Sequence, residues 1–287
     1  MTELHISDAE RAAGALTPDR RRAAAQAVRL AGYVVLHGAV DTRLMDTLGR
    51  RMLEDVPRIL DLPRPPHNFA WGTIQHDPPP DPRFLFPEVL SNDFAIGVTK
   101  AVLGKEAHNG FYSGNTNLPR SRAQPVHADT GHLWAGQRRA HPASELVVNL
   151  APLGMDDENG ATEIWPCSHL DTTVSRHDPS ICVPGDVVEA RRGAHPPISA
   201  HLPQGSVLIR DVRLWHRGVP NRSDTARPMI AMIHRAAFLP LRHLDFPVGA
   251  EDVFARAAIH WPVRFRDDPI DHRARNRAYD YDGSGPV

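Results

Sequence analysis

The sequence predicts an all-β core, a sandwich or barrel, with helices packed against it. Three observations predict this. The first hundred residues carry helix caps and helical apolar spacing around one short strand. From about residue 108 to residue 235 the chain breaks into short runs that are apolar or alternate apolar with polar. Gly, Pro, Asn and Asp separate these runs, as turn residues separate strands.

Taken in order, Thr17-Pro18 is a helix start, a capping hydroxyl followed by proline in the first turn. The alanine-rich run to about Ala31 continues that helix, Gly32 ends it, and Tyr33 to Leu36 reads as a buried strand. Asp41 caps a second helix to about Leu60, in which Leu44, Met45, Leu48, Met52, Leu53 and Val56 follow helical spacing. Residues 61–88 hold eight prolines and are expected to be an irregular loop over the core or site. Asn92 to Leu103 reads as a third helix, stopped by Gly104. The expected strands are His108 to Asn117, Gln124 to Asp129, Glu145 to Leu153, Ala161 to Trp165, Ser206 to Asp211 and Pro228 to Arg235. Residues 170–203 read as a polar insertion between strands, and the tail after about 270 as frayed.

Composition excludes several classes. The 33 basic and 34 acidic residues nearly cancel, and no long basic stripe suggests nucleic acid. No apolar run approaches membrane-span length. Two cysteines make no disulfide framework or paired-cysteine zinc pattern, and MTELHISDAERAAG lacks a signal-peptide pattern, so a cytoplasmic setting is expected. A homo-oligomer is left open.

The chemistry concentrates at His127-Ala128-Asp129. In a strand, residues i and i+2 share a face, so this imidazole and carboxylate can converge. His216 ends another strand-like run, RDVRLWHRG. Two histidines and one carboxylate on one side of a cation leave the opposite positions open, which suits a ferrous centre; zinc accepts the same ligand types. Arg227 follows His216 by eleven residues, just before Pro228, where the backbone is extended. Its planar fork matches a carboxylate. Asn149 interrupts an apolar run and reads either as a pocket group or as a satisfied core amide. Asn117 and Gln124 precede the His127 run and are candidates to touch a co-substrate. His132 and Trp134 follow Asp129 and are candidate walls of a substrate pocket, with core packing the rival for Trp134. His169 reads as structural, Asp156, Asp157 and Glu158 as a solvated turn, and Cys167 as no nucleophile.

The pattern His127-x-Asp129, His216 and Arg227 resembles the phytanoyl-CoA dioxygenase family of iron(II)/2-oxoglutarate oxygenases. Asp157 to Glu163 (DENGATE), Trp165 to His169 (WPCSH) and Gly205-Ser206-Val207 with Asp211 agree with that family, over roughly residues 105–235. The runs Tyr112 to Pro119, Gln124 to His127, His132 to Trp134 and Arg213 to Asn221 are similar to members that oxidise an amino-bearing carbon of an aminoglycoside. The resemblance implies a double-stranded β-helix, a cupin-like jelly roll, in one domain spanning 1–287. Residues 1–104 would be helical support and proline-rich loop, 105–240 the jelly-roll core and 241–287 a C-terminal extension. It implies Fe(II) held by His127, Asp129 and His216, with 2-oxoglutarate and O2 as co-substrates and a small polar molecule as substrate. It implies that Arg227 pairs with 2-oxoglutarate and that Thr162 donates a hydroxyl hydrogen bond to it. Some members have serine where this chain has Gly218, which leaves Thr162 as the candidate donor. A metal-binding jelly-roll hydrolase or isomerase, or a silent small-molecule binder, is the alternative reading.

Overall fold

A computed structural model describes residues 2–287. The chain opens with β1 (Glu3–His5) and α1 (Asp8–Ala13), followed by α2 (Pro18–Ala31), β2 (Tyr33–His37) and α3 (Thr42–Leu60). Two strands follow, β3 (His67–Asn68) and β4 (Ala70–Gln75), then a 3-10 turn at Pro82–Phe84, α4 (Pro87–Leu90) and α5 (Asp93–Leu103). The central strands are β5 (His108–Asn117), β6 (Glu145–Leu150) and β7 (Glu163–Ile164). After α6 (Gly185–Ala194) come β8 (Ile198–Ser199), β9 (Val207–Asp211), β10 (His216–Arg217) and β11 (Arg227–Arg235). The chain finishes with β12 (Leu244–Pro247), α7 (Glu251–Ala255) and β13 (Val263–Arg266).

Helix boundaries follow local chemistry. The Thr17 hydroxyl accepts from the Arg20 amide with Pro18 in the first turn, and Gly32 ends α2 in the left-handed region at φ 90°. The Asp41 carboxylate accepts from the Arg43 amide at the start of α3. The Asn92 side chain accepts from the Ala95 amide at 3.0 Å at the start of α5.

The main sheet has eight strands in the order β1-β2-β9-β6-β11-β5-β4-β3, and a small sheet has the order β10-β7-β8. The strand period of two divides the main sheet into faces. Leu146, Val148 and Leu150 of β6, Val207 and Ile209 of β9, and Ile230 and Met232 of β11 pack with Val28, Met45, Leu48 and Met52 from the helices. Each such side chain taken fully out of water contributes about 1.5–3 kcal/mol. Between the sheets, Val35, Leu208 and Met229 meet Ile164, Ala200 and Leu202. This is a jelly roll with α2, α3 and α5 on the outer face of the large sheet, while α6 packs through Val188 against Trp165 and Trp215.

Four expectations are corrected. The proline-rich segment is not all loop, because residues 70–75 lie between its proline clusters and form β4, which pairs with β5 at Thr73↔Asn117. Gln124 to Asp129 is not a regular strand and makes only isolated bridges, His127↔His216 and His127↔Cys182, with Pro125 unable to donate to a ladder. The 170–203 insertion holds α6 and β8, and β8 completes the small sheet on β7. The tail is docked rather than frayed: Tyr279 N–H donates to His67 O at 2.9 Å and Phe69 N–H to Tyr279 O at 2.7 Å. The N-terminal β1 and α1 also lie outside the sequence expectations, although Ser7 and Glu10 form a reciprocal capping box.

Candidate metal centre and its cavity

Two chain segments that are distant in sequence exchange backbone hydrogen bonds here. His127 N–H donates to His216 O at 3.0 Å and His216 N–H to His127 O at 2.9 Å. That pairing sets the two rings 4.4 Å apart, centroid to centroid. Asp129, two residues beyond His127, has its amide tied to Val212 O at 3.2 Å. One ligand atom from each of His127, Asp129 and His216 lies within 4.8 Å of the others.

Tautomers are set by the backbone. His127 Nδ1–H donates to Pro125 O at 2.9 Å and His216 Nδ1–H to Leu214 O at 3.0 Å. Both rings therefore present a bare Nε2, with its neighbour fixing ring orientation as in metal centres. Burial, aided by nearby His216, pushes His127 down to about 3, so it is neutral as ligation requires. Burial would raise the Asp129 carboxyl, but Arg210 and the two histidines outweigh it and hold the group well below the usual carboxylate range. Arg210 Nη2 reaches Asp129 Oδ2 at 2.6 Å, and Asp129 Oδ1 faces His216 Nε2 at 3.5 Å. One carboxylate oxygen is thus held by the protein while the other faces the histidines.

These groups open into a cavity of about 240 Å³ on the inner face of the main sheet. Alternate residues of β11 (Arg227, Met229, Ala231 and Ile233) form its floor. Asn149 and Val147 of β6 lie beside them on one side, and Thr73 and Gln75 of β4 lie beyond β5 on the other.

Arg227 is buried at the β11 entrance to this floor. Nη2 donates to Gly160 O at 2.7 Å and Nε to Asn159 O at 3.5 Å, while buried Nη1 has no partner among the described residues. Burial pulls its pKa down to about 10, so it stays charged at neutral pH. A buried cation whose only protein partners are carbonyls calls for an anion.

The other sequence candidates divide. Thr162 lines the cavity, its hydroxyl 3.6 Å from Met155 Sδ. Gln124 lines it too, but both ends of its amide are engaged, with Nε2 donating to Asn68 O at 3.0 Å and Oε1 accepting from Gly218 N–H at 2.8 Å. Asn149 lines it and accepts from Arg210 Nε at 3.1 Å. Asn117 lies beneath the wall, with Nδ2 donating to Val219 O at 2.9 Å, and braces the loop that carries Gly160.

His132 and Trp134 are not brought to the cavity. His132 Nε2–H donates to Asp171 O at 2.9 Å, and its Nδ1 is 3.3 Å from Arg213 Nη1. Burial and Arg213 push it down to about 4. Trp134 is 56% exposed and stands edge-on to His141, outside the wall. The chain turns away after Asp129, so nearness in sequence does not become nearness in space.

Arg210 and Phe69 were missed. Arg210 is a charged residue on the cavity parity of the apolar run VLIRD, two beyond Leu208, and that parity was a usable signal. Phe69 has φ 65° and its ring lies 4.5 Å from His127, a contact no local pattern announces.

Gly160, at φ 80°, holds the carbonyl that Arg227 uses, and an added Cβ would stand 2.8 Å from Val219 O. Gly160→Ala is expected to destabilise the fold by about 1–3 kcal/mol and to loosen Arg227. Urea unfolding checks the first effect, and the affinity of the cavity for a dicarboxylate checks the second.

A buried histidine pair and a carboxylate in a jelly-roll cavity, with Arg210 on the carboxylate and buried Arg227 on the same wall, define a non-haem metal oxygenase type of site. The sequence profile of the family "Phytanoyl-CoA dioxygenase (PhyH)" matches residues 28–229, and the chain belongs to that family of iron(II)-, 2-oxoglutarate- and O2-dependent enzymes. Among solved structures, AviO1 from Streptomyces viridochromogenes Tue57 is similar at 20% identity and TM-score 0.56, covering 77% of this chain and 97% of its own. SnoK, a non-heme alpha ketoglutarate dependent carbocyclase from nogalamycin biosynthesis, is similar at 18% identity and TM-score 0.57, covering 79% of this chain and 87% of its own. Among the described residues no helix is long and apolar enough to cross a membrane.

Proposed function

We propose that this chain is a dioxygenase that oxidises an aliphatic C–H bond of a small polar natural product, giving an alcohol or, at an amino-bearing carbon, a ketone. The observation that carries the reading is the uncompensated guanidinium of Arg227 in the same cavity as His127, Asp129 and His216. A hydrolase has no use for that cation, whereas 2-oxoglutarate brings a second carboxylate to it.

The donor set fits iron(II): two neutral imidazoles and one carboxylate from one side, with the opposite side open to the cavity. Iron(II) bound there supplies, with 2-oxoglutarate and O2, the oxidising equivalent that removes hydrogen from an unactivated carbon and leaves succinate and CO2. Arg227 binds and orients the distal carboxylate of the co-substrate, and the Thr162 hydroxyl, which lines the same cavity, adds a hydrogen bond to it. Arg210 holds one oxygen of Asp129 so that the other stays aimed at the metal position. Phe69 packs on His127 and excludes water from that side. Val147, Met229, Ala231 and Ile233 supply apolar walls that keep water from the reacting centre.

The substrate class comes from likeness rather than from the cavity. The runs similar to aminoglycoside oxidisers, and a structural neighbour described as acting in nogalamycin biosynthesis, make bacterial antibiotic biosynthesis the setting to search. A cytoplasmic location belongs to the same proposal. The experiment is succinate release with ferrous iron, 2-oxoglutarate and O2 over aminoglycosides, aminocyclitols and other small polar metabolites. Arg227→Ala is expected to weaken 2-oxoglutarate binding by about 2–5 kcal/mol; an unchanged 2-oxoglutarate dependence removes Arg227 from the site.

A further inference from the structure

Arg210 does more in this cavity than hold Asp129. Its side chain is 5% exposed. Nε donates to Asn149 Oδ1 at 3.1 Å and Nη2 pairs with Asp129 Oδ2 at 2.6 Å. Nη1 is buried without a partner among the described residues, and the residue lines the cavity. If Arg210 only steadied Asp129, its third nitrogen would be left desolvated and unbonded, at a cost greater than that of most buried polar groups.

Register places this nitrogen. Arg210 pairs with Val147, and Val147 with Ile233. Arg227 lies at the other end of β11, about 20 Å away at ~3.3 Å per residue. The two guanidinium groups therefore enter the cavity from opposite ends. Apart from its histidines, the charged residues on the wall among the described residues are Asp129, Arg210 and Arg227. Iron(II) and a 2-oxoglutarate dianion cancel each other, so the loaded cavity keeps one net positive charge.

Resting on the oxygenase reading above, we propose that Arg210 is a second carboxylate-binding residue, whose Nη1 takes an oxygen of a carboxylate. Two sources carry that chemistry: the keto-acid end of 2-oxoglutarate, and an acid group on the substrate. The planar fork suits either, since Nε and Nη2 are already held by Asn149 and Asp129 and Nη1 is the nitrogen left without a partner among the described residues.

Anaerobic calorimetry on the full chain with ferrous iron separates the sources. The first titration uses 2-oxoglutarate. The second adds cyclohexanecarboxylate, cyclohexanecarboxamide or cyclohexylammonium to the loaded protein, and each is repeated on Arg210→Gln and Arg210→Lys. A loss of at least about tenfold in 2-oxoglutarate affinity in Arg210→Gln at unchanged iron(II) affinity, partly recovered in Arg210→Lys, assigns the keto-acid carboxylate. A loss that only follows weakened iron(II) binding leaves Arg210 as the support of Asp129 and refutes that assignment. Unchanged 2-oxoglutarate affinity, with loss of an at least about tenfold wild-type preference for carboxylate over carboxamide, assigns the substrate. The proposal is overturned if wild type shows no such preference and Arg210→Gln binds 2-oxoglutarate as wild type does. If the variants do not fold, crystals of the unaltered chain soaked with nickel(II), 2-oxoglutarate and cyclohexanecarboxylate decide. A carboxylate oxygen within hydrogen-bond reach of Nη1 supports the proposal, and Nη1 facing no carboxylate refutes it. Wild type that binds no 2-oxoglutarate with ferrous iron refutes the oxygenase reading itself, and this inference with it.

Discussion

Asp129→Ala is expected to abolish oxygen-dependent succinate release and to weaken iron(II) binding by at least about a hundredfold. Asp129 is the one carboxylate in the cluster, so two neutral imidazoles would be left to hold a dication. The loss is compounded by Arg210, whose Nη2 bonds Asp129 Oδ2 at 2.6 Å. Without that carboxylate, a buried guanidinium faces the metal position uncompensated and repels the ion. Stability falls less, by about 1–2 kcal/mol, because the Asp129 side chain is 31% exposed toward the cavity. Metal content after equilibration with ferrous iron, together with a succinate assay, checks both halves. Wild-type succinate release from the alanine variant contradicts the ligand assignment.

Deleting residues 272–287 is expected to cost about 3–5 kcal/mol of folding stability and most of the activity. The tail begins with His272 Nε2 at 2.7 Å from Asp55 Oδ2, and Asp55 is fully buried inside α3. Removing His272 leaves that carboxylate with Arg51 alone, at 2.9 Å. Further on, Asp282 N–H donates to Phe69 O at 2.8 Å and Trp71 N–H to Ser284 Oγ at 2.9 Å. Together with the Tyr279 bonds, these hold Phe69 in its left-handed conformation against His127. Such a conformation in a non-glycine residue costs about 1–3 kcal/mol and persists only while its surroundings enforce it.

The Asp55 contribution has a pH signature. Burial raises the Asp55 carboxyl, but the hydrogen bonds from His272 and Arg51 outweigh it and lower it overall. A carboxylate with a depressed folded-state pKa stabilises fully above its unfolded value of about 4 and loses that stabilisation as the pH falls through the folded value. The stability gap between intact and truncated chains is therefore expected to narrow below about pH 4. Urea unfolding across pH measures it, and a gap that widens on acidification contradicts the role of this pair.

What was legible in the sequence depended on how local the determining contacts are. His127 and Asp129 are two residues apart, and i, i+2 geometry brings them together even though the segment is no regular strand. Helix ends at Thr17, Gly32, Asp41 and Asn92 were readable because caps act within three or four residues. His216 and Arg227 needed the family pattern, since only strand pairing across distant segments carries them to the cavity. Contacts with no local signature were lost. The proline-free window that becomes β4 is stabilised by β5, and the tail by the loop around Phe69. His132 shows the opposite error. It follows Asp129 closely, yet it joins Arg213, whose guanidinium also pairs with buried Asp211 at 2.7 Å and steadies the turn before His216.

On the reading proposed above, three side chains and one arginine present a single iron(II)/2-oxoglutarate site. Its most direct test is the visible spectrum of the purified chain, kept free of oxygen, as ferrous iron and then 2-oxoglutarate are added. The expected result is a weak charge-transfer band that requires both additions, is lost in Asp129→Ala, and needs far more 2-oxoglutarate in Arg227→Ala. Absence of the band from the unaltered chain, with zinc retained in its place, contradicts the account.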